Sequence, residues 1–130
     1  MRAWLGLVGI SLLFFVVSGA EPEKRSVTWT GWFSDAVCAG PRAKSGTFTA
    51  TNPDCAKKCI EKGEATVFIS EQAKALYTVS AYPSAVDDLG YHMEVQATVD
   101  EAAKTMTIRS VKRLEYEGAS CARPKAKAGK

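Results

Sequence analysis

From Tyr91 to Val99 apolar and polar residues alternate: Tyr91, Met93, Val95, Ala97 and Val99 fall on one side, His92, Glu94, Gln96 and Thr98 on the other. A period of two is the spacing of side chains along a β-strand, so this segment predicts a strand with one face on a core and one toward solvent. Asp100–Lys104 forms the turn, and Thr105–Leu114 returns with Met106 and Ile108 inward. Val111 and Leu114 break the parity, which predicts a bulge near Ser110 that restores both to the core side. Val27–Asp35 is a further strand, in which Val27, Trp29, Gly31 and Phe33 alternate with Thr28, Thr30, Trp32 and Ser34. Its two tryptophans lie on opposite faces, as in a strand covered on both sides, and Gly31 permits a strong bend of the kind a small barrel needs. Ala65–Ser70 and Ala75–Ala81 read as a hairpin joined by Glu71–Lys74, and Pro83–Leu89 as one helical turn ended by Gly90.

One segment carries a helical signature. In Asn52–Gly63, Asn52 can cap, Pro53 suits the first helical position, Asp54 favours the positive end and Gly63 supplies a stop. Ala39–Thr51, rich in Gly, Pro, Ser and Thr around a single Phe48, reads as a long loop between Cys38 and that helix.

Composition adds compartment. Met1–Ala20 has a basic Arg2, an apolar run from Leu5 to Val17 and small residues at Ser18 and Ala20, the pattern of a cleaved signal peptide. The run is too short for a stable membrane span, so export to the periplasm or medium of a bacterial envelope is expected, as a monomer. Residues 21–26 are charged and contain Pro22, a flexible leader; residues 27–121 form one domain; residues 122–130 are a basic, disordered tail. Arg2 is the only charge in the signal segment, so its removal takes the formal charge from +3 to +2, too small to argue for nucleic acid.

Export makes disulfides the expected state of the four cysteines, Cys38, Cys55, Cys59 and Cys121. Cys55 and Cys59 stand one helical turn apart with parallel side-chain vectors and cannot readily bond to each other. Two connectivities remain, with Cys38–Cys59 and Cys55–Cys121 favoured, each bridge adding roughly 2–4 kcal/mol. Structural zinc sites use two close C-x2-4-C pairs, which this spacing does not supply, so no metal site is assigned; a thiol- or metal-dependent role, zinc or redox, is the alternative. His92, the only histidine, points outward with no nucleophile beside it, and Asp35, Asp87, Asp88 and Glu94 form no evident catalytic pair. Asp87 and Asp88, next to Gly90, suit a turn. Arg109, Lys112 and Arg113 with the tail make the C-terminal end basic, a solvated face that fits an anionic envelope polymer such as polysaccharide better than nucleic acid.

The opening TGWFSDAVC, the helix DCAKKCIEKG and the final hairpin LGYHMEVQATVDEAAKTMTIRSVKRL resemble a group of small, uncharacterised secreted bacterial proteins with a G-x-x-[ST]-D-x-x-C start, a C-x-x-x-C helix and a single OB-fold-like domain. This chain has Cys38-Ala39 where those often have Cys-Gly, and neither histidine nor methionine from Ala39 to Thr51. The resemblance implies a mainly β domain with one short α-helix, a five-stranded OB-fold-like barrel, and export. The expected function is then a non-enzymatic binding or structural module without a cofactor. The OB analogy places its ligand on the face of the central strands, with Trp32, Phe48 and Tyr82 as stacking contacts.

Overall fold

The computed structural model describes residue 19 and residues 23–118. The segment read as a signal peptide, apart from Gly19, lies outside those residues, as do Cys121 and the basic tail. The elements are β1 (Lys24–Asp35), α1 (Ala36–Lys44), α2 (Pro53–Glu61), β2 (Thr66–Ser70), β3 (Ala75–Ser80), a 3-10 helix (Pro83–Asp88), β4 (Tyr91–Asp100) and β5 (Thr105–Tyr116). The five strands form a closed sheet in the order β1-β2-β3-β5-β4, with β4 returning to β1. Only β3 and β5 run parallel.

Closure depends on β1 serving two neighbours. Its first part pairs with β4, from Lys24 opposite Asp100 to Gly31 opposite Met93, and its second part with β2, from Gly31 opposite Ser70 to Asp35 opposite Thr66. Gly31 belongs to both ladders, and a Cβ on it would stand 1.8 Å from the Ile69 carbonyl oxygen. The strand begins three residues earlier than expected, because Lys24, Arg25 and Ser26 continue the β4 ladder instead of forming part of a leader. Their charge is accommodated at the rim. Arg25 pairs with Glu101 and lies over the Trp29 ring, and Glu101 also accepts from Lys104 Nζ and Tyr77 Oη, each at 2.9 Å. These partners hold the Glu101 carboxyl down at about 2, Lys104 foremost and then Arg25.

The alternation in β4 is realised: Met93, Val95, Ala97 and Val99 are buried together with Phe33, Phe68, Tyr77 and Met106. In β5, Gln96 pairs with Ser110 but Ala97 with Ile108, so Arg109 is the extra residue of a bulge where one was expected, and Val111 packs on the core. Leu114 does not turn inward. It is the extra residue of a second bulge, between the His92–Glu115 and Met93–Arg113 pairs, and is 42% exposed.

The capping chemistry of α2 is as the sequence implies. Asn52 Oδ1 accepts from the Asp54 and Cys55 amides at 2.9 and 3.1 Å, Gly63 ends the segment at φ +100°, and Ala56 is fully buried in the core with Ile60 beside it. A second helix, α1, replaces the first half of the loop expected over residues 39–51, so the described residues hold two short α-helices rather than the one expected. Asp35 Oδ2 accepts from the amides of Val37 and Cys38 at 2.9 and 3.0 Å, a complete N-cap. Pro41 lies inside α1 and removes one amide donor, so local propensity does not favour this helix; its cap and its packing hold it. The remaining loop is tied down by Arg42, which donates to the Ala50 carbonyl at 2.7 Å and to Thr49 Oγ1 at 2.8 Å, and by a buried Ser34–Thr51 hydroxyl pair.

α1 and this loop have a reason to be ordered. Trp32, Ile69 and Leu76 form a row across β1, β2 and β3 on the side away from the core. Ala36, Ala39, Phe48 and Ala50 cover that row, making a second apolar cluster with Val67. The C-terminal part of β1 is therefore buried on both faces, Phe33 in one cluster and Trp32 in the other.

Candidate functional site

Asp35 ends β1 with its side chain fully buried, and the first turn of α1 brings Cys38 back over it. Cys59, in the last turn of α2, completes a group in which one ligand-type atom from each of the three side chains lies within 4.8 Å of the others. Among the described residues no two cysteine sulfurs stand at bonding distance. The expected Cys38–Cys59 partners are thus adjacent but unbonded, and Cys55–Cys121 ends on a residue outside the described part. Asp35 Oδ2 is used in the helix cap, whereas Oδ1 is buried with no hydrogen-bond partner. Burial pushes the Cys38 thiol up to about 12, reinforced by the Asp35 carboxylate and by Cys59. A helix N-terminus ordinarily favours a thiolate; here burial, and after it the carboxylate that caps the helix, override it. A thiol so protonated is a poor nucleophile at neutral pH.

His92 is neither exposed nor without a partner, contrary to the reading of β4 alone. Its ring stacks on Trp32 with centroids 4.9 Å apart, and Nε2 lies 2.7 Å from Glu71 Oε2. Only 17% of the His92 side chain is accessible. Glu71 also accepts from Thr30 Oγ1, while Gln72 donates to that hydroxyl at 2.8 Å and accepts from the Thr30 amide at 2.9 Å. Both the hydroxyl and the imidazole are directed at the carboxylate, so the hydroxyl is not presented to the imidazole as a nucleophile to its base. The cluster acts as a clasp joining β1, the β2–β3 turn and β4. His92 also lies within 4.8 Å of carboxylate oxygens of Glu115 and Glu117, both exposed.

Glu71 was missed because its segment reads as a hairpin connection; only the antiparallel register of β1 on β2 puts that turn against Thr30. Burial alone would raise its carboxyl, but the hydrogen bonds from Thr30 and His92, with the His92 and Lys74 charges, bring it below the ordinary 4.5. A lowered carboxyl contributes stability above its ordinary value and loses it as pH falls through the folded value. Glu71→Gln is therefore expected to melt below the wild type at neutral pH and to converge with it as pH falls below the ordinary carboxylate value and through the folded one. Melting curves across that range check this; parallel profiles would show that Glu71 contributes nothing through its charge.

The remaining residues singled out from sequence are placed as follows. Trp32 is 5% exposed, with its indole Nε1 unpartnered, and Phe48 is half-buried in the same cluster. Tyr82 stacks on Phe33 at 5.5 Å and donates to Asp88 Oδ2 at 2.8 Å. Asp88, expected in a turn, is buried and also accepts from Arg113 Nε at 2.7 Å, so Arg113 is engaged rather than simply solvated. Asp87 and Lys112 are exposed, and Glu94 is half-buried opposite Lys112.

The outer side of β1, β4 and β5 carries two hollows. One of about 170 Å³ is lined by Ser26, Val27, Thr28, Gln96, Ala97 and Arg109. The other, about 350 Å³, is lined by Lys24, Thr98, Val99, Asp100, Thr105, Thr107 and again Arg109. The bulge that makes Arg109 an extra residue thus places it at both. Among the described residues no helix is long and apolar enough to cross a membrane. No protein-family model, curated protein or solved structure matches this chain.

Proposed function

We propose that the protein is an exported, non-enzymatic binding module whose closed sheet is an OB-like barrel and whose ligand is an acidic envelope polysaccharide held on the β1–β4–β5 face. The order β1-β2-β3-β5-β4, with one parallel pair between β3 and β5, supports the barrel reading. The signal-like N-terminal segment supports export.

The observation that carries the ligand class is the pair of hollows sharing Arg109. Hydroxyl and amide side chains at Ser26, Thr28, Gln96, Thr98 and Thr107 match sugar hydroxyls; Lys24 stands opposite Asp100, so it is Arg109, common to both hollows, that matches carboxylate or sulfate substituents. The β1–β2–β3 face, where OB folds commonly bind, is taken up by α1 and the loop after it. Trp32 and Phe48 are spent on that internal packing, so base stacking of the kind nucleic-acid modules use is disfavoured.

Affinity electrophoresis of the mature chain through gels containing polygalacturonate or alginate tests the reading. Retardation that weakens with salt is expected, with Arg109→Ala weakening binding about tenfold. A folded protein that no acidic polysaccharide retards, or an Arg109→Ala variant retarded as strongly as wild type, would sink it.

A further inference from the structure

We propose that Asp35, Cys38 and Cys59 form a binding site for a single zinc-like divalent cation at the junction of β1, α1 and α2, independent of the polysaccharide face. Each ligand comes from a different element, and each element is anchored by something other than the site. Asp35 pairs with Thr66 at the end of β1, α1 lies on the Trp32 cluster through Ala39, and α2 is held by Ala56 and Ile60. One potential ligand atom from each side chain lies within 4.8 Å of the other two. Ligand atoms around tetrahedral zinc stand roughly 3.5–3.8 Å apart, given bonds of about 2.0 Å to oxygen and 2.3 Å to sulfur. The group therefore reaches zinc geometry by small side-chain rotations.

The second observation is Asp35 Oδ1. It belongs to a fully buried side chain, has no hydrogen-bond partner, and its sister oxygen is fully used in capping α1. A buried carboxylate oxygen without a partner is costly. A Cys38–Cys59 disulfide would leave that cost in place, because two bridged sulfurs offer the oxygen no donor. A cation removes it by direct coordination; it displaces the protons of Cys38 and Cys59 to solvent, and with Asp35 and two thiolates around a divalent ion the site carries about one net negative charge. Three protein ligands leave a fourth position for water or an exchanging ligand, and both cysteines are only half-buried, which gives access.

The test uses the full mature chain, reduced anaerobically and stripped of metal, titrated with zinc against a chromophoric chelator and separately with cobalt. Uptake of one equivalent is expected, with sulfur-to-cobalt charge-transfer absorption. Cys38→Ser and Cys59→Ser should each remove that absorption. Asp35→Asn keeps an acceptor suited to the helix cap but loses the charge, and should weaken zinc at least about tenfold while circular dichroism stays that of the folded protein. The proposal is overturned if the reduced chain takes up no zinc, if the charge-transfer band persists in either cysteine variant, or if Asp35→Asn binds as tightly as wild type. It is equally overturned if Cys38 and Cys59 oxidise to a disulfide in the presence of one equivalent of zinc. None of these outcomes depends on whether polysaccharide is bound.

Discussion

Replacing Gly31 with alanine is expected to lower the melting temperature by roughly 15 °C, from a loss of about 3 kcal/mol. The added Cβ would sit 1.8 Å from the Ile69 carbonyl oxygen and 2.9 Å from its carbon, both backbone atoms of the neighbouring strand. No rotamer change relieves a contact with backbone, so β1 and β2 must separate where β1 passes from one partner to the other. The penalty falls on the pairs from Gly31 to Asp35, and Asp35 in turn caps α1. Gly40→Ala is the control of opposite sign. A Cβ there meets nothing within 4 Å, and the residue lies inside α1, so alanine should stabilise by about 0.5–1 kcal/mol. Thermal unfolding of the two variants beside wild type decides the matter: a Gly31→Ala protein melting within a few degrees of wild type would mean that the strands can part cheaply and that Gly31 is not where the sheet closes.

What could be read from sequence was the structure whose cause is local. The β4 alternation, the Asn52-Pro53 start and Gly63 stop of α2, and the hairpin around Glu71–Lys74 each depend on a few neighbouring residues, and each appears at or within a residue or two of its expected place. Gly31 could be flagged because an interior glycine in an aromatic strand lacks a local justification. The misreadings have tertiary causes. α1 carries Gly40 and Pro41, which locally favour a loop, and it is held as a helix by Asp35 and by the outward row of Trp32, Ile69 and Leu76 that it covers. That row is apparent only once the β1–β2–β3 register is known. Leu114 was expected inward through the same bulge as Val111, and it is instead the extra residue of a second one. His92 looked exposed because its neighbours come from β1 and the β2–β3 turn, distant in sequence.

The same distinction separates the two candidate sites. The cysteine spacing shows that Cys55 and Cys59 share a helix face, but not that α1 returns Cys38 over a buried Asp35. A carboxylate at a helix start reads as a cap, and Asp35 is one; the oxygen left over is what gives the three-residue group a possible further use. Arg109 was counted with Lys112 and Arg113 as one basic stretch. The bulge and the 3-10 helix part them, Arg109 going to the outer hollows and Arg113 to Asp88.

The two faces of β1 should also differ in what they stabilise. Phe33→Ala is expected to cost about 3–5 kcal/mol, lowering the melting temperature by roughly 20 °C. Phe33 is 1% exposed, meets the Phe68 ring edge-on at 5.3 Å and stacks on Tyr82 at 5.5 Å, so its removal opens a cavity between β1, β2 and the segment leading into the 3-10 helix. Phe33→Leu, which keeps most of the volume, should cost less, at about 1.5 kcal/mol. Trp32→Ala removes a ring of the second cluster and the stacking partner of His92, and should expose α1 and the loop after it while the core side of β4 stays folded, because Met93, Val95, Ala97 and Val99 belong to the other cluster. Hydrogen exchange distinguishes the cases: Phe33→Ala should raise exchange at Met93, Val95 and Val99 together with the rest of the sheet, whereas Trp32→Ala should raise it first at Ala39 to Lys44. If both variants released the β4 amides equally, the two apolar clusters would form one cooperative unit, and the cover over β1–β2–β3 would be as integral to the fold as the core itself.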